Sequence, residues 1–153
     1  MSEIKTEFVM EMRLAVDMPL QMIGNTQYGD RRIAKVTGGT FEGPNIKGTV
    51  EGGGGDWILN RTDGVTQLDV RLVMKAENGD LIYMTYTGLR HGPAEVMAKM
   101  AAGEQVDPAS YYFRTTPYFE TGSETYAWMN KSCFISTGNR EPSGPVYRVF
   151  RVL

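Results

Sequence analysis

The chain reads GGTFEGPNIKG at positions 38–48 and GGGGDW at positions 52–57, and this stretch decides the fold. It places eight glycines and two large aromatic residues within twenty positions that otherwise have the composition of β-strands. Glycine inside a strand costs conformational entropy, so this density indicates bulges, tight bends or the close approach of two backbones. We therefore predict that the stretch forms a corner and the rim of a β-barrel.

Strand periodicity continues on both sides of this stretch. In residues 65–76, apolar side chains alternate with polar ones, which is the pattern of a half-buried strand. Asn78-Gly79-Asp80 is a tight-turn signal, so residues 80–87 are predicted to return as the antiparallel partner. Pro93 and Gly103 bracket one short helix near 93–102. The other strand candidates are 6–16, 31–36, 47–51, 110–121, 125–137 and 146–153, with a loop at 140–145.

These elements predict an all-β fold, a single antiparallel closed barrel of about 8–10 strands that forms one domain over residues 1–153. The net charge of −2 and the scattered basic residues predict neither a nucleic-acid partner nor a membrane partner. Cys133 is the one cysteine and the N-terminus is polar, so we expect a cytoplasmic protein. His91 and Cys133 have no metal-ligand spacing, and the glycine run lacks a phosphate-loop ending, so no cofactor and no metal are predicted.

Six motifs occur in an order that resembles one known family. They are GGTFEGP at 38–44, GGDW at 54–57, LDVR at 68–71, YYFR at 111–114, FETG at 119–122 and YAWMN at 126–130. The chain is similar, from about Phe8 to Val152, to domain-of-unknown-function family three-two-three-seven, an uncharacterised family of small β-barrel proteins. The resemblance implies an antiparallel barrel of lipocalin or allene-oxide-cyclase-like shape that associates with itself. It implies no settled activity.

Side chains two apart in a strand share a face, and this parity selects candidate site residues. Asp69 and Arg71 form one group that lies within a family motif. If the polar faces point inward, the barrel interior carries carboxylate, guanidinium, phenol, amide and indole groups suited to a polar-headed aromatic or carbonyl ligand. The candidate catalytic residues are Asp56, Asp69 and Arg71, and the candidate substrate-binding residues are Trp57, Tyr83, Tyr112, Arg114, Trp128 and Asn130.

Each candidate also has a structural interpretation. Asp69 and Arg71 are equally consistent with a solvated strand face, and Asp56 with a carboxylate that caps a turn after the glycine run. Trp57 and Trp128 are consistent with core residues. Parity alone leaves these alternatives open.

Three function hypotheses remain. The first is a cofactor-independent isomerase, cyclase or lyase that uses acid–base chemistry on a small aromatic or carbonyl compound, with Asp56 or Asp69 as the base. Arg71 or Arg114 would then hold an anionic oxygen, helped by Tyr83 or Tyr112. The second is a binding protein for a small-molecule ligand. The third is a barrel filled by its own side chains, for which ten methionines are suitable, with a structural or interaction role.

The C-terminal run VYRVFRVL at 146–153 alternates as a strand. If it is an edge strand, it must be covered by barrel closure or by a symmetric partner. On this ground and on the resemblance, we predict a homodimer.

Overall fold

Ten β-strands and one α-helix make up most of residues 2–153, the part of the chain that the computed structural model describes. The helix is α1 (Ala94–Ala101), and two short 3₁₀ turns lie at Pro108–Ser110 and Ala127–Lys131. Within residues 2–153, no helix has the length and apolar character that a bilayer span requires. The strands are β1 (Thr6–Val16), β2 (Gln21–Thr26), β3 (Gly29–Glu42), β4 (Lys47–Val50), β5 (Gly54–Asn60), β6 (Thr66–Ala76), β7 (Leu81–His91), β8 (Tyr112–Glu120), β9 (Cys133–Glu141) and β10 (Gly144–Val152).

The strands close into an antiparallel barrel with eight positions around its circumference. β1 pairs with β10, and β10, β9, β8, β7 and β6 then follow as neighbours. β4 and β5 both bridge β3 to β6, so together they fill one position. β3 closes the ring by pairing with β1, while β2 continues along the same edge of β3. The predicted fold class is therefore confirmed.

Most predicted elements are present, with shifted ends. The β6–β7 hairpin has the predicted antiparallel pairing from Thr66↔Arg90 to Lys75↔Leu81. The helix is confirmed at Ala94–Ala101. The strand predicted at 125–137 is wrong in its first half, because residues 127–131 form a 3₁₀ turn. The loop predicted at 140–145 is instead a tight connection between β9 and β10.

The two ends of the barrel interior differ. Along β1, β6 and β7 the inward side chains at one end are large and fully buried, and among them Met12, Met74 and Ile82 have no measurable exposure. Phe119 and Phe134 pack edge to face at the same end, with ring centroids 4.8 Å apart. The third hypothesis, a filled barrel, therefore describes only this half of the interior. The opposite end holds a cavity.

The C-terminal strand is not an edge. β10 pairs with β9 along one side and with β1 along the other, so barrel closure satisfies its backbone groups. A homodimer is thus not required to cover β10, and the dimer stays a prediction. Exposed apolar side chains on the outer face of β7, β8 and β9 offer a different surface for it, namely Tyr83, Leu89, Tyr112, Tyr118 and Ile135.

We expect sedimentation velocity at micromolar concentration to show a dimer, and Tyr118→Glu to shift it towards monomer. Tyr118 is 67% exposed, so the substitution places a charge on the outer face without disturbing the core. Tyr28→Glu, which changes a similarly exposed tyrosine outside β7–β9, is the matched control. A wild-type protein that sediments as a monomer at all concentrations would contradict the prediction.

Candidate functional site

The open end of the barrel contains a cavity of about 430 Å³. Alternate residues of β3, β5, β6 and β7 face it, as strand geometry requires. Met97 and Met100 from α1 cover part of the same end, together with the β9–β10 connection. Aliphatic side chains form much of the wall, and charged, amide and hydroxyl groups lie among them. The lining from the barrel strands includes Leu14, Val36, Ala34, Arg32, Asp56, Ile58, Asn60, Leu68, Val70, Tyr86, Arg90, Phe113, Arg140 and Tyr147.

Asp56 is the buried acid of this cavity, which Glu141 also lines. It follows the glycine run in β5, which lies between β3 and β6. A Cβ at Gly54 would lie 2.6 Å from the carbonyl oxygen of Arg71, so only glycine lets β5 approach β6 this closely. The approach brings Oδ1 of Asp56 within 3.0 Å of the backbone N–H of Asp69, which donates to it. The acid is therefore fixed in place and only 9% exposed.

The surroundings of Asp56 favour its neutral form. Burial raises the pKa of the Asp56 carboxyl from 3.8 to about 6, since a charged carboxylate loses its hydration there. The hydrogen bond from the Asp69 N–H and the positive charge of Arg90 oppose this rise in pKa, and the negative charge of Asp69 adds to it. A carboxyl with a pKa close to neutral can both accept and return a proton at physiological pH.

Two buried tyrosines line the same cavity as Asp56. They are Tyr86 from β7 and Tyr147 from β10, and their rings pack edge to face with centroids 5.1 Å apart. Burial raises the pKa of both phenols, so both stay protonated. A protonated phenol is a hydrogen-bond donor, so these hydroxyls can donate to a ligand in the cavity.

Arg90 adds a positive charge to the same cavity. It lies on the inner face of β7, and its guanidinium carbon is 5.5 Å from the centre of the Phe113 ring. Burial, and then the charge of Arg140, lower the pKa of Arg90 from its ordinary value. The neighbouring Tyr147 and Asp56 oppose this fall in the pKa of Arg90.

A hydrogen-bonded chain borders the cavity at β3 and β5. Arg32 donates to Asp30 at 2.9 Å, and the amide of Asn60 donates to the same carboxylate at 3.4 Å. The Thr66 hydroxyl donates to Asn60 at 2.8 Å. Because these groups satisfy one another, they shape the cavity wall and leave the chemistry to the groups around Asp56.

Asp69 and Arg71, whose inward orientation the sequence left open against a solvated strand face, do not face the cavity. Both side chains are exposed on the outer face of β6, while Leu68 and Val70 face the cavity. The physical reason is that the apolar face of a strand is the cheaper one to bury. Asp69 contributes only its backbone N–H to the site. Asp56 is brought into the cavity and is not a turn cap.

Four predicted binding residues also lie outside the barrel. Trp57 is 40% exposed and on the opposite face of β5 from Asp56, and Tyr83 and Tyr112 are exposed on β7 and β8. Arg114 is exposed and donates to the carbonyl of Phe113 at 2.8 Å. The prediction that these side chains line the interior is wrong, because their odd–even parity is opposite to that of the cavity-lining residues in the same strands.

The last two predicted residues do not belong to a strand. Trp128 and Asn130 lie in the 3₁₀ turn at Ala127–Lys131. Trp128 packs on Phe134 near the filled end of the barrel, with the ring centroids 6.1 Å apart. Asn130 is exposed, and its amide accepts from the N–H of Thr121 at 2.8 Å and donates to the carbonyl of Thr121 at 2.9 Å. Neither residue reaches the cavity that contains Asp56.

The sequence reasoning missed Tyr86, Arg90 and Tyr147. The signal that could have found the first two was the hairpin register, because the Asn78–Asp80 turn sets Val70 opposite Tyr86 and Thr66 opposite Arg90. Cross-strand neighbours share a face. An inward Val70 therefore implies an inward Tyr86. For residues 2–153, no cluster of three or more His, Cys, Asp or Glu side chains is arranged to hold a metal ion.

The position of Asp56 predicts a pH-dependent stability. Because its pKa is raised on folding, the protonated carboxyl gives its full stabilisation below pH 4, and this contribution is lost as the pH rises through about 6. The difference in pKa corresponds to about 3 kcal/mol. Between pH 4 and pH 8 we expect the free energy of unfolding of the wild type to fall by about 3 kcal/mol relative to Asp56→Asn in urea titrations. Asp17→Asn, at an exposed acid, should follow the wild type.

The comparisons with known proteins agree on family and fold. A protein of 33% identity over 150 residues, the UPF0311 protein of Clostridium acetobutylicum, is covered over 95% of its length by 98% of this chain. A conserved protein of unknown function from Rhodopseudomonas palustris has a crystal structure that superposes with a TM-score of 0.94 at 31% identity, with both chains covered completely. An enzyme from Penicillium herquei shares the fold at 20% identity, with a TM-score of 0.75 over 99% of this chain and 96% of the other.

The family model described as protein of unknown function (DUF3237) matches residues 4–152. That range contains every strand of the barrel and every residue of the cavity. The chain therefore belongs to the DUF3237 family of proteins of unknown function.

Proposed function

We propose that this protein is an acid–base enzyme that moves a proton on a small carbonyl compound held in the barrel, with Asp56 as the proton acceptor and donor. The observation that carries the proposal is a buried carboxyl with a pKa of about 6 that faces a cavity and stands beside phenol and guanidinium donors. Strongly perturbed acids in a cleft are concentrated at catalytic sites.

The proposed proton transfer takes place between Asp56 and the substrate and needs no other reactant. The Asp56 carboxylate takes a proton from the carbon next to a carbonyl group, and the electron pair of the broken C–H bond forms an enolate. The same carboxyl then returns the proton to the original carbon or to another carbon of the enolate. Isomerisation follows from the second choice, and cyclisation or elimination would begin from the same enolate.

The enolate oxygen needs hydrogen-bond donors, and the cavity supplies them. Tyr86 and Tyr147 line it with protonated phenols, and Arg90 lines it with a charged guanidinium. Donors held in fixed positions stabilise a developing negative charge without reorganisation, and the effect is larger where water is excluded. The donors that sequence analysis assigned to Arg71, Arg114, Tyr83 and Tyr112 are thus replaced by Arg90 and the buried tyrosine pair.

The cavity size and the fold neighbour are compatible with this role. A volume of about 430 Å³ lies within the range of small-molecule sites. The aliphatic walls would keep the enolate away from bulk water. The Penicillium herquei enzyme shares the barrel, which supports catalysis as a use of this fold but says nothing about the reaction.

The test is deuterium exchange into carbonyl compounds. Acetophenone, phenylacetone and phenylpyruvate would each be incubated with the protein in D₂O at pH 8, and the ¹H NMR signals of the protons next to the carbonyl followed against a buffer blank. We expect at least one compound to lose these signals at least tenfold faster with protein. Compounds that bind, shown by saturation transfer, yet never exchange would support a non-catalytic binding protein and overturn the enzyme proposal.

A further inference from the structure

Arg90 is a cation without an anion. It lies on the inner face of β7 and is half-buried, and within residues 2–153 no carboxylate forms a salt bridge with it and no acceptor takes a hydrogen bond from its side chain. By contrast, Arg32 at the same cavity is paired with Asp30 at 2.9 Å. Removing a charge from water without a partner is costly, so this guanidinium is a site that an anion would complete.

Asp56 does not fill that role. Its Oδ1 accepts from the backbone N–H of Asp69, and although its charge acts on Arg90 once it ionises, neither carboxyl oxygen comes within salt-bridge distance of the guanidinium. The guanidinium carbon of Arg90 lies 5.5 Å from the centre of the Phe113 ring, a cation–π contact that supplies no anion. Of the other charged groups in the lining, Arg140 repels Arg90, Arg32 is paired with Asp30 at 2.9 Å, and Glu141 is paired with Arg13 at 3.1 Å. The place of a directly paired anion at Arg90 is therefore open to a ligand.

The rest of the cavity limits which anion fits. The planar fork of arginine matches a carboxylate, with two parallel N–H···O bonds. The remaining walls are mainly aliphatic, from Leu14, Val36, Ile58, Leu68 and Val70. These surfaces suit a hydrocarbon or aromatic body and do not suit a phosphorylated or sugar-like one, because such a body would leave hydroxyls without partners.

We propose that the ligand of this cavity is a small, mainly apolar organic carboxylate whose carboxylate group is bound by Arg90. The choice of substrate rests on the proposed function: if the protein is an acid–base enzyme, its carbonyl substrate is an oxo acid whose reacting carbon lies beside Asp56. The carboxylate anchor itself is a binding property, so it can be tested without turnover.

The experiment compares acids with amides of the same shape. Benzoate, phenylacetate and 3-phenylpropionate would each be titrated against the protein at pH 8 by ligand-observed NMR, beside benzamide, phenylacetamide and 3-phenylpropanamide. We expect at least one acid to bind at least tenfold more tightly than its amide. Equal binding of acid and amide, or no binding of any acid at millimolar concentration, would overturn the proposal, and neither result requires a variant to fold.

Two variants then assign the effect to Arg90. Arg90→Met keeps the length of the side chain and removes the charge, so the preference for acid over amide should vanish. Arg90→Lys keeps the charge but loses the two parallel N–H donors of the guanidinium. The preference for acid over amide should therefore be smaller than in the wild type but still present. Arg71→Met, at an exposed arginine on the outer face of β6, is the matched control and should bind as the wild type does. An Arg90→Met protein that still prefers the acid would overturn the assignment.

The same data separate the two proposals. Acids that bind through Arg90 but never exchange deuterium in any oxo-acid form would leave the anchor standing and remove the enzyme. A neutral ketone that exchanges rapidly in a protein that binds no acid would leave the enzyme standing and remove the anchor.

Discussion

Replacing Asp56 by asparagine is expected to lower the protein-catalysed deuterium exchange by 10²–10⁴-fold, the usual loss when a positioned general base is removed. The fold should survive, because the side-chain oxygen of asparagine can still accept the N–H of Asp69, which now lies 3.0 Å from Oδ1 of Asp56. The amide also avoids the cost of burying a charge above pH 6. A variant that is folded, more stable at alkaline pH and inactive is therefore the expected combination.

The pH profile provides a second readout for the same residue. A base is active only in its ionised form, so the wild-type exchange rate should rise with pH through about 6 and level off above it. The residual rate of Asp56→Asn should not show this step. Exchange would be followed by ¹H NMR from pH 4.5 to pH 8.5, with circular dichroism at each pH to confirm the folded state.

Asp69→Asn is the informative control. Sequence analysis named Asp69 as an alternative base, yet its side chain is exposed and only its backbone N–H contacts Asp56. We expect this variant to exchange at a rate within about threefold of the wild type. A large loss in Asp69→Asn together with an active Asp56→Asn would overturn the assignment of the base.

The fold was predictable from sequence because its signals are local. Alternation in residues 65–76 and the Asn78–Asp80 turn define the β6–β7 hairpin, and Pro93 and Gly103 define the ends of α1. The turn at Ala127–Lys131 was not predictable in this way. Its position depends on the Asn130 side chain, which bonds to Thr121, a residue nine positions away at the end of β8. Such contacts between elements leave no periodic signal.

The site was predictable only where the backbone itself marked it. The glycine run that lets β5 approach β6 pointed to Asp56 correctly as a residue in an unusual place. The other candidates were selected because they are polar or aromatic. In a barrel whose interior is largely apolar, most polar strand residues lie on the outer face, so this criterion chose the wrong side of the strands. Tyr86 and Arg90 sit on the apolar face of β7 beside Met84 and Ile82, so a pattern of polar against apolar residues hides them. Buried polar groups among apolar neighbours are the better guide to function.

Gly43→Ala is expected to destabilise the barrel by more than about 4 kcal/mol, a size reached by few single substitutions. A Cβ at Gly43 would lie 1.7 Å from the carbonyl oxygen of Val9 and 3.0 Å from the Cα of Met10, both in β1. The obstacle is backbone, so no change of rotamer can relieve it. β1 already bulges here, with a register shift between Phe8 and Met10 in its pairing to β10.

The expected damage follows from what this contact closes. Directly beyond Gly43, β3 pairs with β1 at Glu42↔Glu11 and Phe41↔Met12, and these pairs complete the ring of strands. An alanine would force β1 away from β3 and leave buried N–H and C=O groups of both strands without partners, each at a cost of about 1–3 kcal/mol.

Urea denaturation followed by circular dichroism measures the loss of stability in Gly43→Ala. Gly122→Ala is the matched control, since its Cβ would meet nothing within 4 Å, and it should change stability by less than about 0.5 kcal/mol. If Gly43→Ala were as stable as Gly122→Ala, the backbones of β1 and β3 would have to lie farther apart at Gly43 than the structure shows. The barrel would then not be closed tightly between these two strands, and the cavity wall there would not be rigid.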